Sequence, residues 1–203
     1  MNRIKLLLPA LLLLAVACKH KPKEPAGDTT EPKDSAVNSG YLPVADFIKN
    51  DIIRVDSFAG GILKRANRNG KKDSVYIQIP EFKKLASQFL IPELDSASFS
   101  QHMSESSLMD NTTEMLNFIY LPKQADWPLR KVMIYLTPSL ADDKVDRIYI
   151  EKEFTRGDTS FHQKLNWKIQ EYFYTITIQQ PNNGPAVTTM EKVIWDPQHF
   201  AEE

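Results

Sequence analysis

The chain has 203 residues, with 25 Lys and Arg against 26 Asp and Glu, four His, one Cys and 42% apolar residues. That length suits one ordinary domain with appendages, and the near-balance of charge gives no general electrostatic reason to bind nucleic acid. A single cysteine excludes an intramolecular disulfide framework and any multi-cysteine metal centre, and four scattered histidines leave little for a His-rich one.

At the start of the chain, Arg3 and Lys5 are positive, Leu6 to Val16 is an apolar run interrupted only by Pro9, and small residues lead into Cys18. This order predicts a secretory signal peptide over residues 1–17. The run is shorter than the roughly 20 residues that a transmembrane helix needs. A buried core helix fits poorly, because the run has no polar face and carries a proline inside it. Leu14-Ala15-Val16-Ala17-Cys18 resembles the lipobox of bacterial lipoproteins, although Ala15 stands where leucine is commonest. The resemblance implies cleavage before Cys18, a diacylglyceryl thioether on its sulfur and an acylated new amino terminus. Several acyl chains anchor stably where one binds only marginally. A free thiol would be a liability in an oxidising periplasm, which favours lipidation over an ordinary cysteine. No second long apolar segment follows. The expected protein is anchored to a membrane through Cys18, not threaded through it.

Residues 18–40 read as a tether. Lys19 to Gly40 holds Pro22, Pro25 and Pro32 among alternating charges, with only Ala26, Ala36 and Val37 as apolar residues. Such a segment cannot bury enough surface to offset its chain entropy. Lys19, Lys21 and Lys23 are near enough to the anchor to touch lipid headgroups, but a solvated linker explains them as well.

The texture changes at Tyr41, and residues 41–203 are expected to form one domain. Pro43 with Val44, Phe47, Ile48, Ile52 and Val55 has helical spacing that should end before Gly60-Gly61. Short runs at 62–66 and 74–79 flank Asn69-Gly70, a hairpin signal. A second helix is expected from Pro80, with Phe82, Leu85, Ala86, Phe89 and Leu90 on one face and Pro92 ending it. Residues 95–111 are Ser-rich and give no assignable pattern. Beyond them, 112–121, 130–137, 145–155, 159–169, 171–179 and 187–195 read as strands. Phe161, Leu165, Trp167 and Ile169 alternate with polar residues, and Tyr172, Tyr174, Ile176 and Ile178 share a face. Short turns make sequential strands pair. The fold class that follows is α+β: a single domain with an antiparallel meander of about eight strands, curving around or packing beneath two helices.

Constellations that could carry chemistry are few. Arg147, Tyr149, Glu151 and Glu153 fall on one strand face, and His162 with Lys164 falls opposite the glutamates across a hairpin. A carboxylate pair can do acid–base work if burial separates the two groups, but cross-strand ion pairing is the simpler reading. His102 and His199 have no partner at metal-ligand spacing, and no nucleophile elbow, P-loop or dinucleotide fingerprint occurs. Arg156-Gly157-Asp158 supplies a hairpin turn; Asn111-Thr112-Thr113 spells a glycosylation sequon that bacterial lipoproteins do not normally use. Asp142, Asp143 and Asp146 lack the spacing and terminal Glu of a calcium loop. No catalytic residue, cofactor or metal is therefore expected. The aromatic set Trp167, Tyr172, Phe173, Tyr174 and Trp195 reads as core, or else as the lining of an apolar cavity between sheet and helices. Trp167, Tyr172, Tyr174 and Trp195 are the candidate lining residues.

The chain as a whole resembles the small lipoproteins common in Bacteroidota, through the end at Cys18, the charged tether and the compact domain. Tyr41-Leu42-Pro43-Val44-Ala45-Asp46-Phe47-Ile48, Phe89-Leu90-Ile91-Pro92-Glu93-Leu94-Asp95 and Trp195-Asp196-Pro197 are its more distinctive stretches. The resemblance implies no activity. Basic Lys19-His20-Lys21-Pro22 after the cysteine, in place of an acidic export signal, favours a periplasm-facing protein of the outer membrane. The expectation is a non-enzymatic binding or envelope-accessory module with an envelope protein as partner. The alternative is a carrier or receptor for a lipid or other apolar ligand.

Overall fold

The computed structural model describes residues 41–58, 60–139 and 143–201. The expected signal peptide, Cys18 and the tether lie outside the described residues.

Pro43 precedes helix α1 (Val44–Phe58). Val44, Ile48 and Val55 of α1 are buried, and Asp51 occupies the third position of the same stripe, between Ile48 and Val55. The hairpin strands β1 (Leu63–Arg68) and β2 (Lys71–Tyr76) follow. Asn69 and Gly70 turn between them with φ of 49° and 86°, a left-handed pair that Asn-Gly adopts at low cost. Helix α2 (Ile79–Ala86) has proline in its first turn and continues into a 3-10 turn, Ser87–Phe89. A second 3-10 turn, Pro92–Leu94, leads to α3 (Ser96–His102).

Seven strands then run in sequence: β3 (Met103–Asp110), β4 (Met115–Pro122), β5 (Leu129–Thr137), β6 (Lys144–Arg156), β7 (Thr159–Lys168), β8 (Tyr172–Pro181) and β9 (Val187–Ile194). All belong to one antiparallel sheet in the order β2-β1-β9-β8-β7-β6-β5-β4-β3. The meander β3–β9 is built of neighbours in sequence, as short turns require. The early hairpin joins it at the far side, with β1 pairing β9 from Leu63 opposite Ile194 to Arg68 opposite Thr189. The sheet stays open, so β2 and β3 are its two edges.

The α+β class and the antiparallel meander are therefore as expected, with two corrections. The described residues contain nine strands, not eight, and three α-helices, not two. Both additional elements, α3 and β3, come from the Ser-rich segment that carries no apolar periodicity.

All three helices contact one face of the sheet. In register across it stand Phe118, Ile134, Ile148, Trp167, Phe173 and Val193, every one buried. Phe89 from the 3-10 turn meets Trp167 edge-on with ring centroids 5.0 Å apart, and Phe82 of α2 packs on Phe173 and Trp195. Phe99 of α3 lies 4.9 Å from the Tyr120 ring. Offset and edge-on aromatic pairs of this kind add to the burial of the rings. The α1 carboxylate Asp51 accepts hydrogen bonds from Trp167 Nε1 and the Gln170 amide, both 2.8 Å. One residue thus ties a helix to the sheet centre and to the β7–β8 turn.

Candidate functional site

The other face of the sheet is touched by no α-helix among the described residues, only by His199 of the 3-10 turn Pro197–His199 against Tyr172, and it has a different chemistry. Two rows cross its centre in register. One runs Asn117, Tyr135, Arg147, Lys168, Tyr172; the next runs Met133, Tyr149, Asn166, Tyr174, Lys192. Strand alternation puts these residues opposite the apolar core positions.

Within these rows the aromatic and cationic groups are interleaved. The Arg147 guanidinium lies 5.8 Å from the centroid of the Tyr135 ring, and the Lys192 ammonium lies 4.3 Å from that of Tyr172. Cations over phenol rings are attracted by the ring quadrupole. Asn166 and Asn117 are only 6% and 7% exposed on this helix-free face. Asn166 stands in register between two tyrosines, Tyr149 and Tyr174. The Oδ1 atoms of both asparagines and Nε of Arg147 have no hydrogen-bond partner among the described residues. Buried polar atoms without partners are costly, and native structures hold few of them. Burial pushes the hydroxyls of Tyr135, Tyr149 and Tyr172 above the usual phenol range, and Glu151 adds to this at Tyr149. The ring faces therefore stay neutral at physiological pH.

A polar chain borders the two rows. Tyr149 donates to Glu151 at 3.0 Å. His162 reaches Glu151 at 2.8 Å and Glu153 at 2.9 Å, and Arg130 Nε donates to Glu153 at 2.7 Å. The Arg130 hydrogen bond, with the charges of Arg130 and His162, holds the Glu153 carboxyl below its ordinary range. The geometry realises the cross-strand pairing expected for His162, and Lys164 stands in register with Glu151. Among the described residues no group of His, Cys, Asp and Glu is arranged to hold a metal ion.

The candidate cavity residues divide between the faces. Trp167 and Trp195 pack together in the core with ring centroids 5.4 Å apart. Tyr172 and Tyr174 lie on the helix-free face. The four do not share one lining, and the centre of the space between sheet and helices is filled by Phe82, Phe89, Trp167 and Phe173. A groove of about 300 Å³ does exist elsewhere, at the rim between α1 and the Pro92–Leu94 turn, with walls that include Leu42, Leu90, Ile91 and Phe99.

The remaining sequence signals have local explanations. His102 stacks on Trp127 at 3.7 Å between centroids, and its Nδ1 meets the Ser98 carbonyl. His199 reaches Glu171 at 3.0 Å. Gly157, with φ of 57°, turns the β6–β7 hairpin between Arg156 and Asp158. The sequon stretch forms the β3–β4 turn, where Asp110 accepts from the Thr112 and Thr113 amides. Asp142 lies outside the described residues, and Asp146 pairs with Lys168.

The residues that sequence reasoning missed are Asn117, Tyr135, Asn166 and Lys192. Tyr149, Arg147 and Tyr174 were visible as same-face residues within single strands, but nothing in the sequence joined β4 to β9. No family model, curated protein or solved structure matches this chain. No helix among the described residues is long and apolar enough to cross a membrane.

Proposed function

We propose that this chain is a membrane-anchored lipoprotein facing the periplasm, held by lipid on Cys18 and a tether over residues 18–40. Its folded part is a non-enzymatic binding or envelope-accessory module. The observation that carries the binding assignment is Asn166, nine-tenths buried with an Oδ1 unpartnered among the described residues, on the sheet face opposite the α-helices, between Tyr149 and Tyr174 and beside Arg147. Tyrosine and arginine dominate the energetics of interfaces because they bring large area and hydrogen bonding together. The anchoring assignment is supported by the charged start, the apolar run and the small residues before Cys18.

The test places a photo-crosslinking side chain at Tyr174 in the full chain, in its own membranes. A discrete adduct at Tyr174, lost with Arg147→Ala and absent with the probe at exposed Ile53 of α1, is the expected result. Equal labelling at both positions, or none at Tyr174, overturns the binding face. Native mass spectrometry of the same protein reads the acyl chains on Cys18. An unmodified thiol overturns the anchor.

A further inference from the structure

The two edges of the sheet are not alike. The β2 edge is fully exposed and carries Lys71, Lys72 and Asp73 among its six residues. Charged side chains, lysine above all, are the usual device that keeps an edge from pairing with another chain. The β3 edge is exposed from Ser104 to Met109, with Glu105 as the only charge in that stretch and no proline or lysine. Leu108 and Met109 are 57% and 49% exposed there, on opposite sides of the strand.

The main-chain groups of β3 can be sorted by direction. The Lys123 amide donates to the His102 carbonyl at 2.8 Å, and these two residues continue the β3–β4 register that pairs Met103 with Pro122. Alternation along an antiparallel ladder then turns the even-numbered β3 residues toward β4 and the odd-numbered ones outward. Met103 is already used, because its amide donates to Phe99 and its carbonyl accepts from the Tyr41 hydroxyl. Glu105, Ser107 and Met109 remain facing out, with no further strand beside them among the described residues.

We propose that β3 is the interface at which two copies of this chain pair, antiparallel, about a two-fold axis through Ser107. The outward set dictates this register. Opposed residues in a hydrogen-bonded pair must both face outward, so Ser107 meets Ser107 and Glu105 meets Met109 on each side. All three outward residues of both copies are then bonded. No like charges stand opposite one another, and each Leu108 falls across from the small Ser106, beside Ile119 of β4. The sheet's own symmetry favours a two-fold over a head-to-tail array. With nine alternating strands, β2 and β3 run in the same direction, so translation would pair them parallel, against the lysines of β2. A two-fold gives an antiparallel ladder like those inside the sheet and closes after two copies. The sheet continues through the axis, with the helix-free faces on one side.

Single-cysteine substitutions in the full chain, oxidised in its own membranes, test this, with the parent chain as baseline for Cys18. Residues facing across a hydrogen-bonded pair have Cα atoms ~5.5 Å apart, inside disulfide reach. Ser107→Cys is expected to convert most of the chain to a species of twice the mass. Glu105→Cys puts the two sulfurs about four residues apart along the strands, on the order of 14 Å, and should stay at baseline. Ser74→Cys, on the lysine-bearing edge, should also stay there. Ser107→Cys at baseline overturns the proposal, and so does equal crosslinking at Glu105→Cys or Ser74→Cys. Linkage of Ser107→Cys to a different protein overturns the second copy as the occupant. The Tyr174 experiment can fail or succeed independently, because that residue lies five strands away from β3.

Discussion

The two faces of the sheet use the same strands for different ends. On the helix-covered face the central in-register row, Phe118 to Val193, is a continuous apolar stack, and the buried carboxylate that α1 sends into it, Asp51, is held by Trp167 and Gln170. On the helix-free face the rows alternate phenols, cations and amides, and three buried polar atoms there lack partners among the described residues. Alternation along a strand makes this division possible, because a single residue step moves a side chain from one face to the other. Buried polar atoms without partners among the described residues occur on both faces, but on the covered one Asp51 Oδ1 and the Tyr120 hydroxyl belong to the packed core, whereas on the other they stand among phenols and cations. The comparison therefore makes a quantitative claim: substitutions on the first face cost stability, and those on the second cost binding.

The largest effect should come from Phe89→Ala. Phe89 is fully buried and touches both Trp167 and Phe173, so its removal leaves a cavity and should cost ~3–5 kcal/mol in urea unfolding. Arg147→Ala, on the other face, should cost far less while removing the adduct formed by the probe at position 174. Equal losses would erase the distinction between the faces.

Asp51 comes next and sharpens the comparison, because it is a charge on the apolar side. Asp51→Ala strands two donors and should cost ~1–3 kcal/mol. Asp51→Asn keeps an acceptor for both and should cost less. Desolvation raises the Asp51 carboxyl above its ordinary 3.8, against the opposing pull of the Gln170 amide, Trp167 and Arg54. A raised acid binds its proton more tightly when folded. Its favourable contribution is therefore complete below 3.8 and is lost as pH climbs through the raised value. Urea midpoints of the native chain should carry that decline, and those of Asp51→Asn should lack it. A decline of the same size in both would assign it to another group.

How much of this was legible follows from what periodicity encodes. Within one strand it is enough: Tyr172 with Tyr174, and Glu151 with Glu153, were placed on common faces correctly. Across a turn it is not. Trp167 meets Phe173, not Tyr172, because of the register through Ile169–Glu171, and that single step sends the two tryptophans and the two tyrosines to opposite faces. β3 was invisible for a related reason. An edge strand exposed on both sides has no buried face to impose alternation, and Met-Ser-Glu-Ser-Ser-Leu-Met-Asp shows none. Asp51 stands at a core position of the α1 stripe with Val44, Ile48 and Val55, but a carboxylate does not register as apolar. The pairing of β1 with β9 joins residues more than a hundred positions apart, beyond any local signal.

The smallest effect tests the border of the helix-free face. Glu153 is 41% exposed and Arg130 33%, so solvent and salt screen the pair and it should contribute no more than ~0.2–1 kcal/mol. Its pH dependence has the opposite sign to that of Asp51. Arg130 lowers the Glu153 carboxyl, so the contribution is present above the ordinary carboxylate range and is lost as pH falls through the lowered value. Arg130→Ala should raise the Glu153 titration midpoint, read from its side-chain carboxyl resonance, and molar salt should move the native midpoint the same way. Urea midpoints of the variant should barely change at neutral pH. A large loss would mean that Arg130 holds the turn around Ala125, whose carbonyl it also engages, more than it holds Glu153. The two roles separate in Glu153→Gln, which removes the charge pair and leaves the Ala125 contact in place.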